Sequence, residues 1–408
     1  MVIEDIFLKI KNKIKVSNLD ILISFFLLGL TSFGGPIAHI GYFRNVFVKQ
    51  KKWLDEKTYI DFVSLCNFLP GPSSSQVGMS IGYKMKGVSG ALLAWFGFTA
   101  PSAVALILFG YAIINFQNAI SNGFLQGLKA IVVIIVLQAI LGMRKNLLKD
   151  SYGYIITFVT AIILIFYPSS INQFLCLIFS GLLGVFLYRE ENQKEINNFK
   201  ISKIKIWKCF PLILFFFFLI ILPLLSNFFN SNPIILLADS FYRIGSLVFG
   251  GGHVVLPLLQ AEFVSSGLIK EDIFIAGYGA SQAIPGPLFT FSAYLGMFFN
   301  SGLSSWLTSF ICLFFIFLPS FLLVIGTLPI WEELRKITLV IRSLKAINAS
   351  VIGLLIAAWY DPIILSSLKS NKDIFLIATA FVILFFTKIP QWLVVFILAF
   401  SGWGITLL

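Results

Sequence analysis

Two short stretches place polar side chains and a Pro-Gly-Pro triplet inside strongly apolar sequence. They read NFLPGPSSSQ from residue 67 and QAIPGPLFTF from residue 282. Proline removes a backbone donor and glycine tolerates unusual backbone angles, so each triplet is expected to end one helix and begin another. A helix N-terminus offers free N–H donors and roughly half a positive charge, which suits an anion, while a packing kink is the alternative. The predicted anion ligands are Asn67, Pro70, Gly71, Pro72, Ser73, Ser74, Ser75 and Gln76 in the first stretch and Gln282, Pro285, Gly286, Pro287 and Thr290 in the second.

The elements that must position these residues are set by the apolarity of the chain. Of its 408 residues, 58% are hydrophobic and 12% are charged, and the mean hydropathy is +0.94. Soluble domains average about 25% charged residues. Apolar runs close to the length of a membrane span recur from residue 19 to residue 408. We therefore predict an all-α polytopic membrane protein without a cleavable signal peptide. Its expected location is the plasma membrane of a prokaryote.

Residue usage argues against most cofactor chemistry. The cysteines Cys66, Cys176, Cys209 and Cys312 have no CxxC spacing, and the chain has two histidines and no HExxH sequence. Neither a Walker A sequence nor a dinucleotide fingerprint is present. The sequence therefore predicts no metal, no cofactor, no ATP-driven step, no nucleic-acid partner and no enzymatic activity.

Four short motifs occur twice, in the same order. SFGGP at 32–36 recurs as VFGGG at 248–252, and LPGP at 69–72 recurs as IPGP at 284–287. PS at 101–102 recurs at 319–320, and LKAI at 128–131 recurs at 344–347. This pattern predicts a tandem duplication, with a first repeat at 1–188, a polar linker at 189–208 and a second repeat at 209–408.

The distribution of charge predicts that the two repeats are inverted. The segment 44–57 carries five Lys or Arg, whereas its counterpart 260–272 carries only Lys270. Because basic loops stay in the cytoplasm, equivalent loops then lie on opposite sides, with the N-terminus inside. The same charges favour two re-entrant helical hairpins at the start of each repeat, followed by transmembrane helices; continuous spans are the alternative. The predicted hairpins are 19–31 with 36–48, 58–69 with 73–86, 236–266, and 273–298.

Several ionisable residues are further candidates. Lys129 and Lys345 occupy equivalent positions and are predicted to face the anion, with snorkelling from a helix end as the alternative. Arg243 is a third candidate, although Asp239 four residues earlier also suits a simple ion pair. A coupling or gating role is predicted for residues at the glycine-rich breaks, where a buried, hydrogen-bonded histidine is the alternative. These residues are His39, His253, Gly34, Gly35, Gly250 and Gly251.

Taken together, these motifs resemble the chromate ion transporter (CHR) family in its long, two-domain form. The similar stretches include FGGPIAHIGYFR from residue 33, LPGPSSSQVGMSIGY from residue 69, FYRIGSLVFGGGHVVLPLLQ from residue 241, ASQAIPGPLFTFSAYLG from residue 280 and LKAINASVIGLLIAAWYDP from residue 344. The resemblance implies a duplicated, antiparallel membrane protein that exports chromate, with sulfate, a similar tetrahedral dianion, as a second candidate cargo.

Three other functions stay open at this point. They are transport or exchange of sulfate or another dianion, a membrane-embedded enzyme, and a passive channel. A dianion that leaves a cell with a negative interior gains about 4.6 kcal/mol per 100 mV, so export needs no ATP. The expected partners are the anion and the lipid bilayer, and the sequence leaves open whether the protein is a homodimer.

Overall fold

The protein is built from helices along nearly its whole length. The computed structural model describes residues 16–116, 122–188, 210–229, 232–249, 251–334 and 337–407, and within these ranges it contains no strand. The predicted all-α architecture is confirmed. The linker at 189–208 and Gly250 lie outside the described residues, and the predicted domain boundaries stay a prediction.

The described part of the first repeat contains seven helices. They are α1 (Asn18–Thr31), α2 (Gly35–Phe43, continued by a π-helical turn at Arg44–Gln50), α3 (Glu56–Phe68), α4 (Ser73–Asn115), α5 (Asn122–Leu147), α6 (Ser151–Phe166) and α7 (Ser170–Leu187). Side chains that accept hydrogen bonds from backbone N–H groups fix four of the starts. Ser17 caps α1, Asp55 caps α3, Asp150 caps α6 and Ser169 caps α7.

The second repeat follows the same order after one extra helix. It contains α8 (Phe210–Phe228), α9 (Pro233–Leu247), a 3-10 turn (Gly252–Val254) that leads into α10 (Val255–Phe263), α11 (Glu271–Ser281), a 3-10 turn (Leu288–Thr290) that leads into α12 (Phe291–Gly296), α13 (Ser305–Thr327), α14 (Trp331–Leu334), α15 (Thr338–Ala358), α16 (Leu365–Ser367), α17 (Asn371–Phe386) and α18 (Gln391–Leu407). By order and sequence offset, α1, α3 and α5 correspond to α9, α11 and α15.

Within the described ranges, six helical segments are long and apolar enough to cross a membrane. They are Ser73–Asn115, Gly123–Leu147, Ser170–Leu187, Phe210–Phe228, Ser305–Ile330 and Thr338–Ser367. The helix α1, in contrast, has 14 residues, which at 1.5 Å per residue spans only about 21 Å of a hydrocarbon core about 30 Å thick. This length suits the predicted hairpins, whose re-entrant course stays a prediction.

The first hairpin of each repeat is fastened by a pair of stacked phenylalanines. Phe25 on α1 stacks on Phe47 in the turn after α2, with ring centroids 4.7 Å apart. The equivalent residues Phe241 and Phe263 stack at 4.9 Å. The two arms of each hairpin therefore lie side by side, and the duplication extends to individual core contacts.

The second hairpin of the first repeat ends where the charges predict. Non-helical backbone at Lys86 and Gly87 divides α4 into a short arm and a long arm. A Cβ on Gly82 would collide with the carbonyl of Gly90, although eight residues of straight helix would separate them by about 12 Å. The chain therefore folds back sharply at this point, and the short arm lies beside α3, where Cys66 Sγ approaches Ser80 Oγ to 3.6 Å.

The two repeats are interlocked. The helix α15 of the second repeat packs against α6 and α7 of the first, and α5 of the first packs against α17 and α18 of the second. Backbones approach closely at these crossings: a Cβ on Gly353 would lie 2.6 Å from the Thr157 carbonyl, and the Thr157 hydroxyl donates to the Ala349 carbonyl at 2.8 Å. Each repeat therefore supplies helices that complete the packing of the other.

Equivalent helices run in opposite directions. The start of α5 lies beside the chain after α15, where Lys129 Nζ is 3.3 Å from the Ser366 carbonyl. Further along α5, the Trp359 indole donates to the Val133 carbonyl at 2.8 Å. At the far end, Asn146 and Asn348 line the same cavity. Since α5 and α15 are antiparallel, the predicted inverted arrangement of the repeats is confirmed.

Candidate functional site

The four chain breaks of the two repeats meet at one place. The N–H of Gly71, in the first PGP triplet, donates to the carbonyl of Val248 at 2.7 Å. The N–H of Gly286, in the second triplet, donates to the carbonyl of Ser32 at 3.0 Å. Val248 and Ser32 are the equivalent residues that precede the two FGG sequences. Each PGP break is therefore bonded to the FGG break of the other repeat.

Both central glycines adopt a backbone conformation that other residues rarely enter. The φ angle is +121° at Gly71 and +108° at Gly286. A Cβ on Gly71 would collide with the Ser320 hydroxyl, and a Cβ on Gly286 would lie 2.8 Å from the hydroxyl of Ser102. Because Ser102 and Ser320 belong to the repeated PS sequence, the equivalent serine lies close to the central glycine in both repeats.

A cavity of about 750 Å³ opens where these breaks meet. Its size lies within the range of small-molecule sites, and it exceeds that of a single small anion. Backbone of the breaks and carboxamide side chains supply most of its polar surface, and the described lining residues include no Asp, Glu, Lys or Arg. The polar and glycine-rich part of the lining comprises Gly34, Gly35, Asn67, Gly71, Ser73, Gln138, Asn146, Gly251, Gly252, His253, Asn348 and Gln391.

Three helix starts border this cavity without a side-chain cap. The helix α2 starts at Gly35, α4 starts at Ser73, and the turn that leads into α10 starts at Gly252. Uncapped first-turn N–H groups are free donors, and each start carries roughly half a positive charge. The cavity therefore combines hydrogen-bond donors and positive potential with neutral side chains, which is the chemistry that suits an anion.

The serines of the first PGP stretch differ in their surroundings. Ser73 lines the cavity. His39 Nε2 donates to the Ser32 carbonyl at 3.1 Å, so its Nδ1 is the acceptor for the hydroxyl of Ser74 at 3.3 Å. The Ser75 hydroxyl is buried and has no hydrogen-bond partner within the described ranges. Ser73 is thus the member of the serine run that reaches the cavity surface.

Gln76 stabilises the break itself. Its Nε2 donates to the Pro70 carbonyl at 2.6 Å and to the Ser320 hydroxyl at 3.2 Å, while its Oε1 is buried without a partner in the described part of the chain. The contact with Ser320 joins the first PGP tip to α13 of the other repeat. Gln76 and Pro70 lie behind the lining, and their predicted role as direct anion ligands stays a prediction.

The second PGP stretch lies one layer behind the cavity. Pro285, Gly286, Pro287 and Thr290 are absent from the described lining. The Thr290 hydroxyl donates to the carbonyl of Pro287 at 2.7 Å. Gln282 is linked to the cavity indirectly, because its carboxamide oxygen accepts from Gln391 at 3.2 Å. Each tip is bonded to the FGG break of the other repeat, but only the first tip reaches the cavity. The meeting of both tips around one anion stays a prediction.

The glycine-rich breaks bring one histidine to the cavity. His253 lines it, and its Nδ1 lies 2.8 Å from the Tyr278 hydroxyl. His39 is buried behind Ser74. Both histidines are hydrogen-bonded, which agrees with the alternative that they only stabilise the fold. Their coupling or gating role stays a prediction. No group of three or more His, Cys, Asp or Glu side chains in the described ranges is placed to hold a metal ion.

The three predicted cationic ligands are all ion-paired and lie outside the cavity lining. Lys129 Nζ contacts Asp272 at 2.8 Å. Lys345 Nζ contacts Asp150 at 2.9 Å. Arg243 contacts both Asp239, at 3.0 Å, and Glu262, at 2.9 Å. Of the three, Lys345 lines a pocket next to the cavity. Direct contact of these cations with the anion stays a prediction.

Sequence reasoning missed four carboxamides of the lining. They are Gln138 and Asn146 on α5, Asn348 on α15 and Gln391 at the start of α18. A carboxamide inside an apolar span is itself a signal, because it needs a polar partner or a cavity. Asn348 directly follows the repeated LKAI sequence, in which the charged residue Lys345 was the more obvious candidate.

Comparison with known proteins agrees with this geometry. The family model described as chromate transporter matches residues 19–185 and 235–403, one match in each repeat. The chain belongs to the chromate transporter family. The protein is therefore a membrane transporter, and its apolar helices make it a multi-pass protein of the plasma membrane.

Three relatives illustrate the range of similarity of this transporter. An uncharacterised transporter of Methanocaldococcus jannaschii is 27% identical over 86% of this chain and 85% of its own length. A probable chromate transport protein of Synechococcus elongatus is 24% identical over 93% of both chains. A chromate transport protein of Pseudomonas aeruginosa is 25% identical over 67% of this chain and 64% of its own length. No solved structure matches the chain.

Proposed function

We propose that this protein is a secondary transporter that exports chromate from the cytoplasm and binds it in the cavity between the repeats. The observation that supports this is the convergence of three uncapped helix starts on a space whose described lining has no acidic side chain. Relatives with chromate in their names point to the same cargo.

Neutral donors can hold a dianion because hydrogen bonds to a charged ligand are strong. Each contributes about 1.5–3 kcal/mol. Ser73 and the five carboxamides of the lining supply such donors, and backbone N–H groups at Gly35 and Gly252 supply more. The cavity of about 750 Å³ has room for water beside the anion, since a water occupies about 30 Å³. The dianion is therefore transported without complete loss of its hydration.

Export is the direction that the membrane potential favours. A dianion that moves outward gains about 4.6 kcal/mol per 100 mV, which is enough for more than a thousandfold gradient. No phosphate-binding loop is present in the sequence. Transport that is driven by the potential would need no further source of energy.

The decisive experiment is flux in proteoliposomes at a fixed membrane potential. Chromate, sulfate, molybdate and phosphate are compared at constant pH. We expect saturable chromate flux that accelerates when the chromate-loaded side is made negative and that sulfate inhibits. If saturable flux were faster for sulfate than for chromate, sulfate would be the cargo in place of chromate. Flux that does not saturate would indicate a channel.

A paired substitution tests the cavity as the binding site. Gln138 lines the cavity, and Gln138→Ala removes one donor, so chromate affinity is expected to fall about tenfold. Asn115→Ala is the matched control, because Asn115 is an exposed carboxamide at the end of α4 that donates to the Tyr111 carbonyl and does not line the cavity. Equal chromate affinity in the two variants would place the binding site elsewhere.

A further inference from the structure

A second pocket of about 410 Å³ adjoins the cavity. It lies between α3, the end of α5 and the start of α15, and it is more open than the cavity itself. The two spaces share four lining residues, which form a neck between them: Asn67, Asn146, Leu147 and Asn348. We call this second pocket the vestibule. An anion in the vestibule reaches the cavity by passing three carboxamides.

Among the described residues that line the vestibule, one positive charge is unbalanced. Lys149 and Lys345 are the charged residues among its described lining. Lys345 is balanced by Asp150 at 2.9 Å, and its Nζ lies 4.1 Å from the centroid of the Tyr188 ring. Lys149 is exposed and makes no ion pair with any described residue. The positive potential of the vestibule therefore comes from Lys149.

We propose that the vestibule is a capture site for a multivalent oxyanion, with Lys149 as the residue that attracts it and the three asparagines as the donors that receive it. This inference rests on the proposed function, because the captured ion is the one that the cavity then binds. A lysine ammonium is a compact point charge with three donors on a flexible stem, which suits transient contact with tetrahedral oxyanions of any rotation.

The position of Lys149 agrees with loading from the cytoplasm. Lys149 follows Arg144 and Lys145 at the end of α5, and the positive-inside rule places this basic cluster in the cytoplasm. A positive charge at the mouth of a narrow space raises the local concentration of anions and their association rate. Lys149 would thus act on the rate of capture and leave the later translocation step unchanged.

The test compares Lys149→Gln with Lys145→Gln. Both lysines are exposed near the end of α5, but only Lys149 lines the vestibule. Initial chromate flux is measured against concentration at about 10 mM and at about 1 M ionic strength, where the Debye length falls from about 30 Å to about 3 Å. At low ionic strength we expect Lys149→Gln to raise KM roughly threefold to tenfold with an unchanged maximal rate. At high ionic strength the difference disappears.

The controls separate a capture role from a structural one. Lys149→Arg retains the charge and is expected to restore KM, whereas Lys145→Gln leaves KM at the wild-type value. Equal KM in Lys149→Gln and Lys145→Gln would overturn the proposal, as would a fall in maximal rate without a change in KM.

Equilibrium binding of chromate to the purified protein shows whether only the capture site is wrong or the proposed function is wrong as well. If Gln138→Ala weakens binding at every ionic strength while Lys149→Gln leaves both binding and KM unchanged, the cavity stands and the vestibule is overturned. If wild-type protein binds none of chromate, sulfate, molybdate and phosphate, both proposals are overturned. If Lys149→Gln binds chromate more weakly than the wild type at low ionic strength but not at high ionic strength, the capture site is supported.

Discussion

The two PGP hairpins share a sequence pattern but differ in what surrounds them. In the first repeat, α3 borders both the cavity and the vestibule, where Ser64 lines the open space, and the start of α4 borders the cavity. In the second repeat, the equivalent position is Gly279 on α11, and a Cβ there would lie 2.7 Å from the Leu128 carbonyl on α5. Lys129 and Asp272 join the same two helices by an ion pair. The hairpin that contains α3 thus borders open space, whereas the equivalent hairpin that contains α11 is packed against α5.

This difference shows that inverted repeats need not adopt the same arrangement at the same time. The vestibule adjoins the cavity in the first repeat, whereas α11 and α5 are in close contact at the equivalent place in the second. A transporter that exposes one site to each side in turn needs such an asymmetry, and an inverted duplication allows the two arrangements to be exchanged. We expect the seam between α11 and α5 to part when the vestibule closes.

The largest effect is expected from alanine at the two PGP glycines. At Gly71 a Cβ collides with Ser320 and forces a strained backbone at the cavity surface, so Gly71→Ala should reduce chromate binding and flux by at least about tenfold. Gly286→Ala should reduce flux similarly but leave binding within about threefold, because Gly286 does not line the cavity. Binding to purified protein and flux in proteoliposomes are measured for both variants.

The control for these two variants is Gly142→Ala. Gly142 lines the cavity and would bring its Cβ within 4 Å of no other atom, so binding and flux should match the wild type. An equal loss of binding in Gly71→Ala and Gly286→Ala would mean that the two tips contribute equally, as the sequence alone suggested.

A smaller effect is expected at the closed seam. Gly279→Ala inserts a methyl group against backbone, and such overpacking costs about 1–3 kcal/mol. The seam should therefore part more often, and a cysteine at Ala283, otherwise buried, should react faster with a polar thiol reagent added outside. The background lacks the four native cysteines. Ser64→Ala, at the equivalent position in the vestibule, should leave this reactivity unchanged, and equal reactivity in both variants would refute a closed outer path.

Lys129→Gln is expected to have a modest effect. Asp272 is 57% exposed, so the ion pair contributes about 1 kcal/mol at most. Flux should change by about threefold while the dissociation constant for chromate stays constant, and Lys129→Arg should behave like the wild type. If binding weakens as much as flux, Lys129 acts on the anion directly, as its place in the repeated LKAI sequence predicted.

The smallest effect concerns Asp150 at the vestibule. Burial raises the pKa of this carboxyl, but hydrogen bonds from Lys345, the Gly153 N–H and the Tyr188 hydroxyl outweigh burial and hold the pKa below its usual range. The pair is therefore fully formed above the unfolded pKa of about 3.9 and is lost only as the pH falls through the lower, folded value. Asp150→Asn keeps an N-cap side chain and removes the carboxylate that contacts Lys345.

We expect Asp150→Asn to lower KM for chromate about twofold at low ionic strength, equally at pH 6 and pH 8. The measurement is the ratio of mutant to wild-type KM at the two pH values. A ratio that differs between them would show that Asp150 titrates in this range and that its partners hold it less firmly than the contacts indicate.

Much of the fold followed from local sequence signals. The PGP triplets predicted helix breaks because proline and glycine act on their own backbone, and Lys86 predicted the end of a hairpin because charge avoids the membrane. The two glycines bonded across the repeats, Gly71 and Gly286, were both among the predicted site residues. These signals are carried by single residues or short runs, so the sequence exposes them directly.

The difference between the two hairpins could not be predicted in the same way. Because the two motifs are equivalent, the sequence predicts the same structure for both hairpins. Whether a pocket opens beside each hairpin depends on how α3 and α11 pack against helices far away in sequence. The partners of Lys129 and Lys345 were missed for the same reason, since Asp272 and Asp150 lie in the opposite repeat. Lone carboxamides such as Asn146 and Gln391 have no spacing rule that joins them into one cavity.

The interlocked packing of the repeats has a consequence for synthesis of the chain. The helices α6 and α7 pack against α15, and about 170 residues separate the end of α6 from the start of α15. At about 5–20 residues per second, α6 waits roughly 10–35 s in the membrane before its partner is translated. During that interval Thr157 and Thr160, which later bond to α15, lack these partners. Because both repeats belong to one chain, the ribosome that translates α6 and α7 also translates α15, the helix that packs against them.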